Sequence, residues 1–329
     1  MIQTPRHFKP LWQTRLKLYD APEAAAATPD GVLVNSPGGL VQSLAAKDGK
    51  VRWEAIVDAG GCEPLWMESV GDSVVIARTQ SVESHEASSG NLQWRRDGLN
   101  QVNGLGLSPD SSIVVSTYHG DVMELAPADG HEQANRSLGK GTNRDTLVST
   151  PAGNAIASGA EIHLLDHQGV ERWRYQSDHV NNDLISDGRL IYVSSDQGAV
   201  TALQPEDGKA VWRAQAGDCP CGPPAIDGRG HLLISALNED QSELRALDGK
   251  GYTAWVQPFG LRCRADPADA DTIVVHDHRD DDQLVLLRSS DGKVLDRIQV
   301  EDLKEFSAGS DGTVYAVTWE GQVEAFATR

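Results

Sequence analysis

The chain lacks any apolar segment long enough to cross a membrane as a helix. None of its runs approaches the roughly 18 consecutive apolar residues that such a helix needs. The N-terminal stretch MIQTPRHFKPLWQTRLK also lacks the apolar core and the small-residue cleavage site of a signal peptide. These absences predict a cytoplasmic protein that makes no contact with a membrane.

Basic residues are in short supply. Lys and Arg number 29 against 48 Asp and Glu, which gives a formal net charge of −19 at pH 7. Nucleic-acid binding depends on clustered Lys and Arg, so this balance argues against DNA or RNA as partners. An acidic surface instead favours solubility and a basic protein partner.

Cysteine is also scarce, with four residues in the whole chain. Reduced thiols are the norm in the cytoplasm, so this count agrees with a cytoplasmic location. Cys219, Cys221 and Cys263 are weak candidates for a metal site of three thiolates. However, zinc usually takes four ligands, and the C-x₂-C spacing of structural zinc sites is absent. Buried or idle thiols are the alternative for these residues.

Familiar catalytic signatures are missing as well. The sequence contains no Gly-x-Ser-x-Gly elbow, no Walker phosphate-binding loop and no HExxH zinc motif. We therefore expect no catalytic residues and no cofactor, and we do not expect an enzyme.

What the chain does contain is a hexapeptide that recurs. DGKVRW at 48–53 returns as DGKAVW at 207–212, and the frame Gly-x-x-x-Trp continues between and beyond them. The eight marker positions are Trp12, Trp53, Trp94, Ala134, Trp173, Trp212, Trp255 and Asp296. The accompanying glycines are Gly49, Gly90, Gly130, Gly169, Gly208, Gly251 and Gly292. The markers lie 39 to 43 residues apart, a period that indicates either helical pairs or propeller blades.

Local composition decides between these two architectures. Runs rich in Val, Ile, Thr and Tyr, such as SIVVST at 112–117 and RLIYVSS at 189–195, predict short strands. No repeat offers the roughly ten residues of glycine-free helical periodicity that a helix needs. Each unit is therefore predicted to be a blade of four antiparallel strands. Its glycine would form the turn into the outermost strand, and its Trp would pack between neighbouring blades.

The two ends of the chain are predicted to share one blade. Trp12 marks an outer strand with no inner strands before it, and residues 312–329 supply inner strands with no outer strand after them. We therefore predict an all-β fold, an eight-bladed β-propeller that forms one domain over residues 1–329. An N-terminal strand around residues 10–17 would complete the last blade and leave no open sheet edge. Seven blades are the alternative, if one copy of the repeat is spurious.

The repeat, a strand followed by V-x-x-L and D-G-K-x-x-W, resembles the PQQ-like (quinoprotein-like, WD40-like) propeller repeat. Its best copies lie at 38–53, 198–212 and 283–292. This family includes quinoprotein alcohol dehydrogenases and a propeller lipoprotein of outer-membrane β-barrel assembly. The resemblance implies the fold and leaves the function open, because one fold hosts many functions. The dehydrogenases usually have an adjacent cysteine pair and a Trp floor beneath the quinone. Here no two cysteines are adjacent, and the Trp residues fall on outer-strand positions.

Loops between blades are the candidate partner-binding surface, because loops on a rigid scaffold commonly carry function. These channel-mouth loops are 59–65, 100–105, 140–146, 179–184, 217–224, 260–266 and 301–306. Their polar positions, each nine residues past a marker, are Cys62, Asn103, Asn143, Asn182, Cys221, Arg264 and Glu305. The alternative is that the Asn side chains cap turns by bonding their own backbone, or line a water-filled channel.

Two histidine-containing stretches complete the set of candidates. HDHRDDDQ at 276–283 offers two His and four Asp, but it lacks the spacing and the glycine of a calcium loop. We expect it to be a solvated acidic hairpin in the seventh blade. His85 replaces Leu in its repeat and is expected to be a semi-buried His with satisfied hydrogen bonds.

These features predict a non-catalytic protein-interaction scaffold. It would be a cytoplasmic subunit of a bacterial multiprotein system, monomeric by itself, with protein partners. The resemblance supplies two alternatives, a PQQ- or metal-dependent oxidoreductase and an outer-membrane protein assembly factor.

Overall fold

The computed structural model describes residues 6–17, 21–36, 38–57, 66–143, 146–220, 222–238, 241–260, 262–278 and 282–329, of which residues 182 and 238 are described by their backbone alone. All regular structure in these ranges is β-strand. The same ranges contain no helix of the length and apolar character needed to span a membrane.

The described residues form 33 strands. They are β1 Phe8–Arg15, β2 Ala24–Thr28, β3 Gly31–Asn35, β4 Leu40–Ala45, β5 Val51–Ile56, β6 Trp66–Val70, β7 Ser73–Arg78, β8 Ser81–Glu86, β9 Leu92–Asp97, β10 Val102–Leu107, β11 Ile113–Thr117, β12 Asp121–Leu125, β13 Glu132–Ser137, β14 Leu147–Thr150, β15 Gly153–Ser158, β16 Glu161–Leu165, β17 Glu171–Gln176, β18 Asn181–Ser186, β19 Ile191–Ser195, β20 Ala199–Leu203, β21 Ala210–Gln215, β22 Cys219–Pro220, β23 Ala225–Ile226, β24 Leu232–Asn238, β25 Gln241–Leu247, β26 Thr253–Pro258, β27 Arg262–Pro267, β28 Thr272–His278, β29 Gln283–Arg288, β30 Val294–Gln299, β31 Leu303–Ala308, β32 Thr313–Thr318 and β33 Gln322–Thr328.

The strands pair into eight antiparallel sheets, numbered here as blades in chain order. Blades 1 to 5 are β2–β5, β6–β9, β10–β13, β14–β17 and β18–β21, and blades 6 and 7 are β22–β26 and β27–β30. Blade 8 joins β31, β32 and β33 to β1. In blade 6 the first strand is split into β22 and β23, which both pair with β24. The fold is an eight-bladed β-propeller, so the predicted fold class and blade number are confirmed.

The chain divides into two compact units. The first comprises Met1–Cys62 together with Gly217–Arg329 and holds blades 1, 6, 7 and 8. The second is Glu63–Ala216 and holds blades 2 to 5.

Burial explains why the second strands read as continuous apolar runs. In blade 1 every residue of β3 is buried, and Val41 and Leu44 of β4 are fully inaccessible to solvent. A strand that is covered on both faces has no solvent side and needs no polar alternation. The fourth strand does alternate, since Trp53 of β5 is buried between the exposed residues Arg52 and Glu54.

Both chain ends contribute to blade 8. Strand β1 pairs antiparallel with β33, from Phe8 opposite Thr328 to Arg15 opposite Gln322. Beyond the strands, the backbone N–H of Arg329 donates to the His7 carbonyl oxygen at 3.1 Å. The N-terminal closing strand is therefore confirmed, and it begins two residues earlier than the predicted residue 10.

The tryptophan of the repeat contacts the next blade through a hydrogen bond and through packing against a glycine. Nε1 of Trp94 in blade 2 donates a hydrogen bond of 2.8 Å to the carbonyl oxygen of Pro127 in blade 3. The indole ring lies against Gly130 of the same turn, where a Cβ atom would come within 2.5 Å of Trp94 Cε3. The same pair of contacts joins Trp12 to Ala46 and Gly49, Trp173 to Pro205 and Gly208, and Trp255 to Ser289 and Gly292. Each of these four Trp residues therefore requires the glycine of the following repeat.

Gly169 shows the same turn without the ring. The preceding marker is Ala134, and a Cβ atom at Gly169 would meet Arg136 Cβ at 3.5 Å, which is an ordinary contact. The φ angle is +73° at Gly169 and +68° at Gly130, so the backbone demand at the two positions is nearly equal. Both glycines are therefore needed for their positive φ angle, but only Gly130 is also needed because a ring packs against it.

One carboxyl group of blade 2 has a pKa that is changed strongly by burial. Glu68 is on β6, the first strand of blade 2, and desolvation by burial raises its pKa from the ordinary 4.5 to about 7. The folded protein therefore holds Glu68 protonated in a pH range in which the unfolded chain has it ionised.

Gly130→Ala should destabilise the protein more than Gly169→Ala. Both changes place an alanine in the left-handed region, at a cost of about 1–2 kcal/mol. Only Gly130→Ala also pushes a methyl group into the Trp94 ring, and overpacking of this kind adds about 1–3 kcal/mol. Urea unfolding of both variants measures the difference, and equal losses of stability would show that the ring contact imposes no constraint.

Glu68→Gln should stabilise the protein in alkaline but not in acidic solution. The pKa of Glu68 is higher in the folded protein than in the unfolded chain. Below the unfolded pKa the side chain is protonated in both states, so it does not lower the free energy of unfolding. Above pH 7 it is ionised in both states, and the folded protein then bears the full cost of a buried charge. A neutral amide removes that cost, so we expect a gain of about 2 kcal/mol at pH 8 that vanishes near pH 4.5.

Urea unfolding as a function of pH measures this effect. Exposed Glu206→Gln is the matched control and should change the unfolding free energy by less than about 0.5 kcal/mol at either pH. A Glu68→Gln gain that does not depend on pH would contradict the assignment.

Candidate functional site

The blade topology sorts the loops into two sets. In a four-stranded antiparallel sheet, the start of the first strand, the hairpin between the second and third strands, and the end of the fourth strand lie at one end. We call this the front end of a blade. The described residues of the loops that the sequence singled out lie just before or at the start of first strands, and therefore at front ends.

Asn103 lies at the front end of blade 3 and is buried. Its Nδ2 donates to the carbonyl oxygen of Thr142, at 3.1 Å, and its Oδ1 accepts from the hydroxyls of Ser116 and Thr142, both at 3.0 Å. Thr142 immediately precedes blade 4. Asn103 therefore connects two blades and is not displayed on the surface.

Asn143 repeats this arrangement one blade further on. Its Nδ2 donates to the carbonyl oxygens of Gly159, at 3.0 Å, and Asn181, at 2.7 Å. Its Oδ1 accepts the backbone N–H of Gly159 at 2.8 Å. Both described Asn side chains of the predicted polar set thus bind backbone atoms of residues at least 16 positions away in the chain, and not the backbone of their own turns that the capping alternative expects. Cys62, Cys221 and the Asn182 side chain lie outside the described residues.

Arg264 and Glu305 form an ion pair between blades 7 and 8. Arg264 Nη1 is 2.6 Å from Glu305 Oε2, and the guanidinium carbon lies 5.1 Å from the centre of the Phe306 ring. Arg264 Nη2 also lies 3.5 Å from Asp266 Oδ2. Burial raises the pKa of the Asp266 carboxyl, and the Arg264 charge partly offsets this effect. These two predicted site residues are therefore brought together in one half-buried charge cluster.

An exposed aromatic side chain lies beside this cluster. Trp319, in the hairpin between β32 and β33, is 54% exposed, and its backbone N–H donates to the Asp302 carbonyl oxygen at 2.9 Å. Lys304 Nζ lies 3.8 Å from the centre of the Trp319 ring, which is a cation–π contact. A large indole held in place by a cation at a front end is a feature typical of protein-binding surfaces.

The histidine-rich stretch 276–283 begins on β28 and ends at the first residue of β29, so it belongs to the two middle strands of blade 7, as predicted. His276 is only 3% exposed, so this part of the hairpin is not the solvated turn that the sequence suggested. Burial and the neighbouring His278 lower the pKa of His276 to about 4. Asp282 lies beside both rings, and Arg279, Asp280 and Asp281 lie outside the described residues.

Cys219, Cys263 and His85 lie in three different environments. Cys219 is exposed on β22, and Cys263 is buried in an apolar cluster that includes Trp255 and Phe259. The side chain of His85 is buried, with Nε2 2.9 Å from Glu83 Oε2 and Nδ1 3.0 Å from the Gly90 carbonyl oxygen. The expectation of a satisfied His85 is therefore confirmed.

Sequence reasoning missed two features of these front ends. Lys304 and Trp319 come from different strands, and their contact has no local signal. The pairing of His276 with His278 did have one, because residues two apart on a strand point to the same face. The pattern His-x-His on a β-branched run could have indicated it.

Comparison with known proteins supplies the family. The sequence model described as "Outer membrane protein assembly factor BamB" matches residues 8–169 and 158–329, which together span nearly the whole chain. The outer membrane protein assembly factor BamB of Burkholderia pseudomallei is 26% identical over 279 residues, covering 77% of this chain and 69% of that protein.

Two solved structures show the likeness of fold. The crystal structure of BamB from Moraxella catarrhalis superposes with a TM-score of 0.71 at 15% identity, over 97% of this chain and 99% of that one. A quinohemoprotein alcohol dehydrogenase from Pseudomonas putida superposes with a TM-score of 0.72 at 13% identity, over 98% of this chain and 76% of that one. At such identities the match concerns the fold alone.

The predicted cytoplasmic scaffold and cytoplasmic location are wrong. The family model and the Burkholderia pseudomallei relative, which match this chain in sequence over most of its length, are named for outer membrane protein assembly, in line with the second alternative. The error arose because the location was inferred from the lack of a signal peptide and of a long apolar run, with the cysteine count as support, and none of these features identifies a compartment. The chain belongs to the family of PQQ-like β-propellers described as outer membrane protein assembly factor BamB.

Proposed function

We propose that this protein is an envelope β-propeller that assists outer membrane protein assembly by binding a protein partner. The observation that carries the proposal is the family match over residues 8–329. The names of the relatives refer to the assembly of proteins, which agrees with the expectation of protein partners.

The front ends of blades 7 and 8 supply a surface suited to this role. Trp319 is large and exposed, its ring faces the Lys304 ammonium group, and Trp is among the residues that commonly dominate binding energy. The ion pair of Arg264 with Glu305 joins blades 7 and 8, which helps to hold their front ends in place before a partner arrives. Preorganisation of this kind lowers the entropy lost on binding.

The packing of the repeat tryptophans also agrees with a binding role. Trp94, Trp173 and Trp255 each donate to a backbone carbonyl in the following blade and cover a turn glycine. Their rings are thereby committed to packing between blades. The net charge of −19 further favours a partner with a basic contact surface.

Deletion of the gene should lower the amount of β-barrel proteins in the outer membrane of the host. Wild-type protein should restore that amount, and Trp319→Ala should restore it only in part, because truncating an interface aromatic removes about 2 kcal/mol or more of binding energy. Quantitative analysis of isolated outer membranes measures both effects.

Tyr252→Ala is the matched control. Tyr252 is 70% exposed and lies in the turn between β25 and β26, at the end of blade 6 opposite to its front end, so its loss should leave restoration complete. Unchanged β-barrel levels in the deletion strain would refute the assembly role. Full restoration by Trp319→Ala would refute only the choice of surface.

A further inference from the structure

Two histidines of blade 7 present their rings on one face of one strand. His276 and His278 are two residues apart on β28, and this spacing puts both side chains on the same side of the sheet. Their ring centroids lie 3.7 Å apart. The strand thus delivers two imidazoles to one place.

A carboxylate from the other arm of the hairpin meets both rings. Asp282 Oδ1 lies 3.1 Å from His276 Nε2 and 3.2 Å from His278 Nδ1. One donor atom from each of the three side chains lies within 4.8 Å of the other two. Zinc bonds to nitrogen and oxygen of about 2.0–2.1 Å put neighbouring ligand atoms of a tetrahedral site roughly 3.3–3.4 Å apart. The observed separations are close to that edge length.

The surroundings leave this group accessible on one side and supported on the other. The buried His276 packs edge-on against Phe306, with ring centroids 6.2 Å apart. The His278 side chain is 47% exposed, which provides a path from solvent. The Arg264 guanidinium, whose charge acts on His276, is already paired with Glu305 and lies near Asp266, so its charge is largely balanced.

We propose that His276, His278 and Asp282 form a binding site for a divalent transition metal of the zinc type, with the remaining coordination position open to water or to a partner's side chain. Two imidazoles and one carboxylate are a ligand set that zinc takes in proteins. The metal would tie the end of β28 to the start of β29 at a front end. This role is separate from outer membrane protein assembly, and either could hold without the other.

Titration of the tag-free, metal-stripped full chain with Zn²⁺ tests the proposal. Isothermal calorimetry should give one Zn²⁺ per chain, and a saturating excess should raise the Tm by about 3–6 °C because the metal binds only the folded state. Co²⁺ in place of Zn²⁺ should give the visible absorption of a low-symmetry, four- or five-coordinate site.

Matched variants assign the site. His278→Ala and Asp282→Asn change half-exposed or part-buried ligands and should each lower the Zn²⁺ affinity at least tenfold, with the metal-free Tm of each variant confirming its fold. His179→Ala removes an exposed imidazole from blade 5 and should leave the affinity unchanged. Absence of stoichiometric Zn²⁺ binding, or equal binding by His278→Ala and His179→Ala, would overturn the proposal.

Discussion

The contact between a tryptophan and the turn glycine of the following blade is the constraint on which the fold depends. The indole of Trp94 covers Gly130 and donates to the carbonyl oxygen of Pro127, and the same geometry recurs at Trp12, Trp173 and Trp255. The glycine is needed twice, once for its positive φ and once because no side chain fits beneath the ring. One blade supplies the tryptophan and the next blade supplies the glycine. This is why both residues recur together in the sequence repeat.

This arrangement places the Trp–Gly packing at one end of the blades, away from the front ends. The turns between third and fourth strands receive the indoles and cannot vary freely. Front ends are free of that demand, although Asn103 and Asn143 use their side chains there to join consecutive blades through backbone contacts. What remains for recognition is the set of side chains that these contacts do not use, such as Trp319.

Charge at the front ends of blades 7 and 8 is arranged in compensated groups. Arg264 forms an ion pair with Glu305 and lies near Asp266. Lys304 makes a cation–π contact with the Trp319 ring. Half-buried charges of this kind are tolerated because each has a partner within a few ångströms. In the neighbouring group of His276, His278 and Asp282, two imidazole nitrogens and a carboxylate oxygen lie close together. The His278 side of this group is exposed to solvent.

The sequence by itself determined the all-β fold, the eight blades and the closing strand at β1, because Gly-x-x-x-Trp spacing and β-branched runs are local patterns that each blade repeats. It also indicated that Arg264 and Glu305 occupy equivalent positions. Only the tertiary structure decided that Asn103 is buried, that Cys263 lies in an apolar cluster and that Lys304 meets Trp319. Those outcomes depend on which side chains two blades bring together, and distances between residues far apart in the chain leave no trace in a local pattern. The compartment was not encoded in composition either, because the same acidic propeller surface is stable in any aqueous solution.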